Sequence, residues 1–118
     1  MSIVEFIESL KKSDPPHGLD PMLLALWYDA KGDWEKSHSI IQDIETKDAA
    51  LIHAYLHRKE GDQWNATYWY SRAGTKKTIG SLEDEWKSLL HKFIHNQNDT
   101  KLITNFSQIG AGIGSPSN

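Results

Sequence analysis

Apolar residues recur every three or four positions along most of the chain, and this spacing places them on one face of an α-helix. The first set is Ile3, Phe6, Ile7 and Leu10. Residues 13–16 end it, because their two prolines lack an N–H group and disfavour helix in the preceding residue. No segment alternates apolar and polar residues for long enough to predict a sheet. The pattern therefore predicts an all-α fold.

Further segments show the same helical spacing, and turn residues separate them. Asp20-Pro21 is typical of an N-cap followed by proline at the first helical position. Residues 99–109 add a seventh helix in one interpretation, so we expect six or seven helices. The predicted apolar faces are Leu23, Leu26, Trp27 and Ala30; Trp34, Ser37, Ile40, Ile41 and Ile44; Trp64, Ala66, Trp69, Tyr70 and Ala73; Leu82, Trp86, Leu89, Leu90 and Phe93; and Leu102, Phe106 and Ile109.

The segment from residue 46 to residue 60 differs from the others because it is apolar on nearly every side. A helix of this kind is usually surrounded by other helices. We therefore expect it to form a buried central helix. Its apolar residues are Ala49, Ala50, Leu51, Ile52, Ala54, Tyr55 and Leu56.

Two Gly-Asp pairs, Gly32-Asp33 and Gly61-Asp62, lie 29 residues apart. In each pair, glycine suits the left-handed end of one helix and aspartate suits the N-cap of the next. A small residue seven positions before each glycine, and another five positions after it, let two antiparallel helices approach closely. The pattern predicts two stacked helical hairpins.

This pattern resembles the tetratricopeptide repeat over residues 21–45 and 50–74. The period of 29 is shorter than the usual value of about 34, Pro21 and Ala50 occupy the place of the signature tryptophan, and the closing proline is absent. The resemblance implies a compact bundle in which the first, sixth and seventh helices cap two repeats. The residues at signature positions are Leu24, Ala25, Tyr28, Gly32, Asp33, Ser37, Ile41 and Ile44 in the first copy, and Ala54, Gly61, Asp62, Ala66, Tyr70 and Ala73 in the second.

A narrower resemblance lies in the strings HAYLHRKEGD at residues 53–62 and NATYWYSRAG at residues 65–74. Both are similar to sequences in a family of small bacterial helical proteins of unassigned function. The resemblance implies a helical fold and a bacterial cytoplasmic setting. It assigns no catalytic residue.

A chain of 118 residues suits one domain, and we expect a helical domain over residues 1–109 and a flexible tail over the glycine-rich residues 110–118. The net charge of −3, from 13 basic and 16 acidic residues, lacks the basic surplus typical of nucleic-acid binders. No apolar run approaches the roughly 20 residues that span a bilayer. We therefore expect neither nucleic acid nor membrane as a partner.

The chain contains no cysteine, which excludes disulfide bonds, thiol nucleophiles and cysteine-based zinc sites. This composition is compatible with a reducing cytosol. The first residues also lack the basic and apolar regions of a signal peptide. We expect a cytoplasmic protein.

His53, His57 and Glu60 lie within about 60° of one another around the predicted fourth helix. Two histidines four residues apart can reach one cation, and a carboxylate one turn further can supply a third ligand. An open fourth position would then permit metal-assisted chemistry. In the alternative interpretation, the two histidines are partly buried and hydrogen-bond to neighbouring helices or to Glu60. Apart from a divalent metal at His53 and His57, we expect no cofactor.

Trp64, Tyr68 and Arg72 are spaced four residues apart on one flank of the fifth helix. An exposed ridge of this kind suits the centre of a protein interface. Arg58, beside the two histidines of the fourth helix, would help to fix a partner's segment in a groove between the hairpins. In the alternative interpretation, the rings cover the edge of the core and Arg72 pairs with an acidic residue.

We expect a non-enzymatic interaction module, in which the helical hairpins form a groove for a protein or peptide partner. The alternative is a small-molecule or metal site at His53, His57 and Glu60, with or without enzymatic activity. A third interpretation is self-association through the sixth helix or residues 102–109. No residue is assigned a catalytic role, because helix capping explains Asp33 and Asp62.

Overall fold

Helices form every regular element in the part of the chain that the structure describes. A computed structural model describes the backbone of residues 1–76 and 80–109. It describes the side chains of residues 1–76 and 80–98. Within these ranges there are six α-helices and no strand, which confirms the predicted all-α class. The helices are α1 (Ile3–Ser9), α2 (Pro21–Ala30), α3 (Trp34–Ile41), α4 (Lys47–Lys59), α5 (Gln63–Arg72) and α6 (Leu82–Ile109).

Side-chain caps begin the first five helices, and three of them, Asp20, Asp33 and Asp62, are at positions that the sequence analysis predicts. Each capping side chain accepts a hydrogen bond from the backbone N–H three residues later, which satisfies a donor that has no partner within the helix. Ser2 and Glu5 form a complete capping box at α1. The other N-caps are Asp20, Asp33, Thr46 and Asp62.

The two Gly-Asp pairs turn the chain in the same way. Gly32 and Gly61 both have a φ of 87°, a left-handed conformation that other residues rarely adopt. The backbone N–H of Asp33 donates to the carbonyl of Tyr28, and that of Asp62 donates to the carbonyl of His57, at 2.9 Å in each case. These bonds belong to Schellman motifs, which close α2 and α4 before α3 and α5 begin. The two predicted hairpins are therefore present.

Small residues allow the paired helices to pack closely. The Ser37 hydroxyl donates to the carbonyl of Ala25 at 2.7 Å, which joins α3 to α2 through buried atoms. Ala54 of α4 and Ala66 of α5 are fully buried together beneath Tyr70. The small residues thus lie between the helices of each hairpin, where the sequence places them.

Helix α4 lies at the centre of the bundle and contacts α2, α3, α5 and α6. Its side chains are buried on several sides, as its apolar composition predicts. The main core joins it to α1, α2, α3 and α6. The buried residues of this core are Phe6, Leu23, Ala25, Leu26, Trp27, Ile41, Ala49, Ile52, Tyr55, Leu56, Leu89, Leu90, Phe93 and Ile94.

Helix α6 continues to Ile109, so the segment considered for a seventh helix is the end of the sixth. The physical reason is that residues 82–109 contain neither glycine nor proline, and nothing interrupts the backbone hydrogen bonds. The predicted tail, residues 110–118, lies outside the described residues. No helix in the described ranges has the length and apolar character needed to cross a membrane.

Candidate functional site

Three histidine side chains converge where α3 meets α4. The Nε2 atoms of His38 and His53 lie 3.0 Å apart, and the ring of His57 lies with its centroid 4.9 Å from that of His53. Each of the three residues contributes one ring nitrogen, and these three nitrogen atoms all lie within 4.8 Å of one another. His53 is buried, and His38 and His57 are half-buried. This histidine triad is one of two groups of three potential metal ligands among the described residues.

The positions of the three histidines follow from the helices that carry them. His53 and His57 lie one turn apart on α4, so their rings stack on one side of that helix. His38 lies one turn after Trp34 on α3, and the Trp34 indole N–H donates to the carbonyl of Leu56 at 2.8 Å. This bond fixes α3 against α4 and holds His38 opposite the other two rings.

Two tryptophans form the walls of the triad. The His38 ring stacks on Trp34, with centroids 4.8 Å apart and planes 9° apart. The His53 ring stacks on Trp69 of α5, with centroids 3.9 Å apart and planes 16° apart. These contacts restrict rotation of the imidazoles and exclude water from their faces, which preorganises the nitrogen atoms.

A carboxylate orients the third histidine. The Nδ1 atom of His57 lies 2.6 Å from Oε2 of Glu60, at the end of α4. When Nδ1–H donates to this carboxylate, the lone pair of Nε2 is available to a ligand. Glu60 therefore contacts the triad through His57 and holds that ring in one tautomer.

Two members of the triad, His38 and His53, favour the neutral imidazole. Burial, and then repulsion from His38 and His57, lowers the pKa of His53 to about 4. Burial first, and then His57, also lowers the pKa of His38, against the opposing influence of Glu35 and Glu60. Neutral rings have lone pairs, so the protons of His38 and His53 do not compete with a cation near neutral pH.

The distances suit a transition-metal ion. Zinc binds imidazole nitrogen at about 2.0–2.1 Å, so two nitrogen ligands of a tetrahedral ion lie about 3.4 Å apart. The 3.0 Å separation between His38 and His53 is shorter because their two Nε2 atoms share a hydrogen bond, and the limit of 4.8 Å for the whole triad is longer. Binding an ion would replace the hydrogen bond between His38 and His53 and would require the three rings to move to this separation.

A second group of ligand atoms lies beside the triad and shares His57. His57, Glu60 and Asp62 each have one ligand atom within 4.8 Å of the others. Asp62 caps α5, where it accepts hydrogen bonds from the backbone and side-chain amides of Asn65. This group is more exposed than the triad, and helix capping accounts for its aspartate.

The predicted site residues of α4 separate into two locations. His53 and His57 meet as the sequence analysis expects. His53 hydrogen-bonds to His38 of the neighbouring helix and His57 hydrogen-bonds to Glu60, which is the pairing that the alternative interpretation predicts. Arg58 instead donates to Oε1 of Glu85 at 2.7 Å and to the carbonyl of Gly80. The structure therefore places Arg58 against α6, apart from the triad.

The predicted ridge on α5 is exposed to solvent. Trp64 is 78% exposed, and Tyr68 is exposed as well. Arg72 donates to the Tyr68 hydroxyl at 3.2 Å and lies over the ring of Trp69, 5.4 Å from its centroid. The guanidinium group thus packs on aromatic rings rather than on an acidic residue.

Sequence reasoning missed His38 and the contact between His53 and Trp69. The available signal was the spacing of four residues between Trp34 and His38, which places His38 beside the predicted apolar face of α3. Trp69 was expected in the core, and it is half-buried with one face on His53. The pair His91 and His95 of α6 is exposed and forms no part of the triad.

Comparison with known proteins gives no match to this chain among protein-family models, curated proteins or solved structures. The geometry of the triad and the exposure of the ridge therefore carry the functional argument.

Proposed function

We propose that this protein binds a divalent transition-metal ion through His38, His53 and His57. The observation that carries the proposal is the convergence of three imidazole nitrogens, each within 4.8 Å of the other two. Trp34 and Trp69 shelter these nitrogens, and Glu60 orients one of them. A carboxylate that hydrogen-bonds a ligating histidine is a common second layer around protein metal ions.

The ligand chemistry selects the class of ion. Imidazole nitrogen suits zinc, copper and nickel, whereas magnesium and calcium prefer oxygen ligands. The triad itself contains three nitrogen donors and no carboxylate. We therefore expect Zn²⁺, Cu²⁺ and Ni²⁺ to bind, and Mg²⁺ and Ca²⁺ to bind far more weakly.

Three protein ligands leave one coordination position of a tetrahedral ion for water or another small ligand. Closed structural zinc sites use four protein ligands, and catalytic zinc sites use three. The triad has the second pattern. Metal-assisted chemistry at the open position is the enzymatic form of this proposal, and binding of the ion alone is its minimal form.

Calorimetric titration of the chelator-treated protein with Zn²⁺ tests the proposal directly. We expect one ion to bind per chain at micromolar or lower concentration, and His38→Gln to weaken binding at least tenfold. The matched control is His91→Gln, which changes an exposed histidine on α6. An absence of saturable heat, or equal effects of the two substitutions, would reject the triad as a metal site.

A second candidate function is recognition of a protein or peptide, supported by the exposure of Trp64 and Tyr68. Large exposed aromatic rings next to an arginine are typical of interface centres. Arg72 supplies positive charge beside them, so we propose a partner segment with an acidic residue next to an apolar one. The test is crosslinking in cells with wild-type protein and with the double variant Trp64→Ala, Tyr68→Ala. A partner that both proteins retain equally would contradict this candidate.

Self-association is the third candidate, and light scattering on the purified protein measures it. A dimer that persists in Trp64→Ala would support self-association through the sixth helix or residues 102–109, whereas a dimer that Trp64→Ala converts to a monomer would place the contact at the ridge instead. If the protein is monomeric at all concentrations, the ridge is available to bind a different protein.

A further inference from the structure

A pocket of about 370 Å³ lies between α1, α2, α4 and α6, and it contains none of the triad residues. This volume is near the lower end of the range of about 300–1,000 Å³ that small-molecule sites occupy. Four large apolar side chains line it, namely Ile7, Leu10, Leu82 and Trp86. Ile7 remains 42% exposed, although it is one of the larger apolar side chains. The pocket therefore presents apolar surface to solvent in a concave setting.

Three polar residues of the pocket, Asp29, Tyr55 and Lys59, belong to one hydrogen-bonded chain. Asp29 is only 3% exposed, and it accepts hydrogen bonds from the Tyr55 hydroxyl at 2.7 Å and from Lys59 Nζ at 2.8 Å. Burial and the Asp29 carboxylate raise the pKa of Tyr55, which keeps its hydroxyl protonated as the donor. Asp29 and Tyr55 are thus engaged with each other.

Lys59 has hydrogen-bonding capacity that the residues described by the structure do not use. An ammonium group carries three N–H donors. Among the described residues, Lys59 Nζ donates to Asp29, and the side chain remains 39% exposed. Two N–H groups are therefore available at the edge of the pocket.

The other charged residue of the lining is directed to solvent. Glu83 is largely exposed and lies 3.5 Å from Lys87 Nζ, one turn further along α6. Its charge is partly compensated by that lysine. Lys59 forms an ion pair with Asp29, and it is the cation among the described residues of the lining, so its remaining N–H groups are the positively charged donors that a ligand in the pocket can meet.

We propose that this pocket binds a small amphiphilic monocarboxylate. Its carboxylate receives hydrogen bonds from Lys59, and its hydrocarbon part covers Ile7, Leu10, Leu82 and Trp86. Hydrogen bonds between an ammonium group and a carboxylate are about twice as strong as those between neutral groups. The apolar walls add the burial of hydrocarbon, which drives binding in sites of this kind. The proposal does not depend on the metal site.

The experiment compares three probes with the same eight-carbon chain, namely octanoate, octanol and octylammonium, by titration calorimetry and amide chemical shifts. We expect octanoate to bind saturably, octanol to bind at least tenfold more weakly, and octylammonium to bind weakest. Equal binding of octanoate and octylammonium would overturn the assignment of Lys59. An absence of saturable binding by octanoate would overturn the site.

Matched substitutions locate the probe. We expect Lys59→Gln to weaken octanoate binding at least tenfold and Lys92→Gln, at an exposed lysine outside the lining, to leave it within twofold. Because Lys59→Gln also removes a partner of Asp29, a second pair keeps the test independent of folding. Ile7→Asp places a negative charge on the pocket wall and should weaken octanoate at least fivefold. Val4→Asp, on an exposed position of the same helix, should not. Equal effects within either pair would overturn the proposal.

Discussion

The indole ring of Trp69 lies against the imidazole of His53, with ring centroids 3.9 Å apart. The two residues belong to different helices of the second hairpin, so this stacked pair forms where α4 and α5 meet. An ion bound to His53 would be within a few ångströms of a fluorescent side chain. The pair therefore links occupancy of the proposed site to a signal that the protein supplies itself.

The first prediction uses this signal. Paramagnetic Cu²⁺ quenches an indole that it approaches closely, so we expect saturable loss of tryptophan fluorescence as Cu²⁺ is added. Trp69→Phe should reduce the quenched amplitude, because it removes one of the two indoles stacked on the triad. Trp64→Phe is the control, since Trp64 is largely exposed on the same helix. Equal loss of amplitude in the two variants would show that the ion binds elsewhere.

The second prediction concerns the carboxylate of Glu60. Glu60→Gln should weaken Zn²⁺ binding about 10–100-fold, because loss of a carboxylate behind a ligating histidine typically has this effect. The global fold should not change, since Glu60 is at the exposed end of α4. Competition with a colorimetric zinc chelator measures the affinity. Glu83→Gln serves as the control, and if it weakened binding as much as Glu60→Gln, the effect would come from net charge alone.

The third prediction concerns pH in the metal-free protein. The pKa of His53 is about 4 in the folded chain and near 6.5 in an unfolded one, so the unfolded state binds the proton first as pH falls. Stability should therefore be constant above about pH 7 and decline through the interval between 6.5 and 4, by up to about 3 kcal/mol. His38 and His57 face His53, and the lowered pKa of His38 adds to the decline in the same direction.

Urea denaturation in the presence of a chelator at pH 7.5, 5.5 and 4 measures this dependence. The difference between wild type and His53→Gln isolates the contribution of His53 from that of other groups. A difference that does not change with pH would mean that His53 has the same pKa in both states.

The fourth prediction concerns the buried carboxylate of Glu85. It is 3% exposed and accepts hydrogen bonds from Arg58 at 2.7 Å and from the Tyr70 hydroxyl at 2.6 Å. Glu85→Ala should destabilise the protein by about 3–5 kcal/mol, because it leaves the arginine poorly compensated. Glu83→Ala, two residues away and exposed, should remain within about 0.5 kcal/mol of wild type. Denaturation midpoints measure both, and similar values would contradict the predicted role of the buried pair.

The fifth prediction tests the turn between α4 and α5. A Cβ added at Gly61 would contact nothing within 4 Å, so the effect of a substitution comes from its φ of 87° alone. Gly61→Ala should cost about 1–2 kcal/mol, and Gly61→Asn should cost less, because asparagine tolerates left-handed backbone better. Thermal denaturation of the two variants gives the order. If Gly61→Ala left the free energy of unfolding unchanged, the turn would have to adopt a different conformation in the variant.

Much of the fold was predictable because it depends on local chemistry. The capping residues, the two Gly-Asp turns and the composition of α4 each specify structure within a few residues of themselves. The C-terminal boundary of the last helix was harder to predict. Leu102, Phe106 and Ile109 have helical spacing, and spacing alone does not show whether a helix is new or continues from the one before.

The candidate site was predictable only in part. His53 and His57 share one helix, so their spacing shows that they face the same way. His38 comes from another helix, and the hydrophobic pattern does not give the angle at which two helices cross. Arg58 illustrates the same limit, since its neighbours on α4 meet the triad while its own side chain reaches Glu85.

The histidine triad joins the two hairpins, because His38 lies in the first and His53 and His57 lie in the second. An ion held by all three would act as a removable crosslink between segments that are otherwise joined by side-chain packing and a few hydrogen bonds. The hairpins could then come apart only after the ion dissociates. Metal supply would set how long the assembled bundle persists, and it would make the lifetime of the protein sensitive to its surroundings.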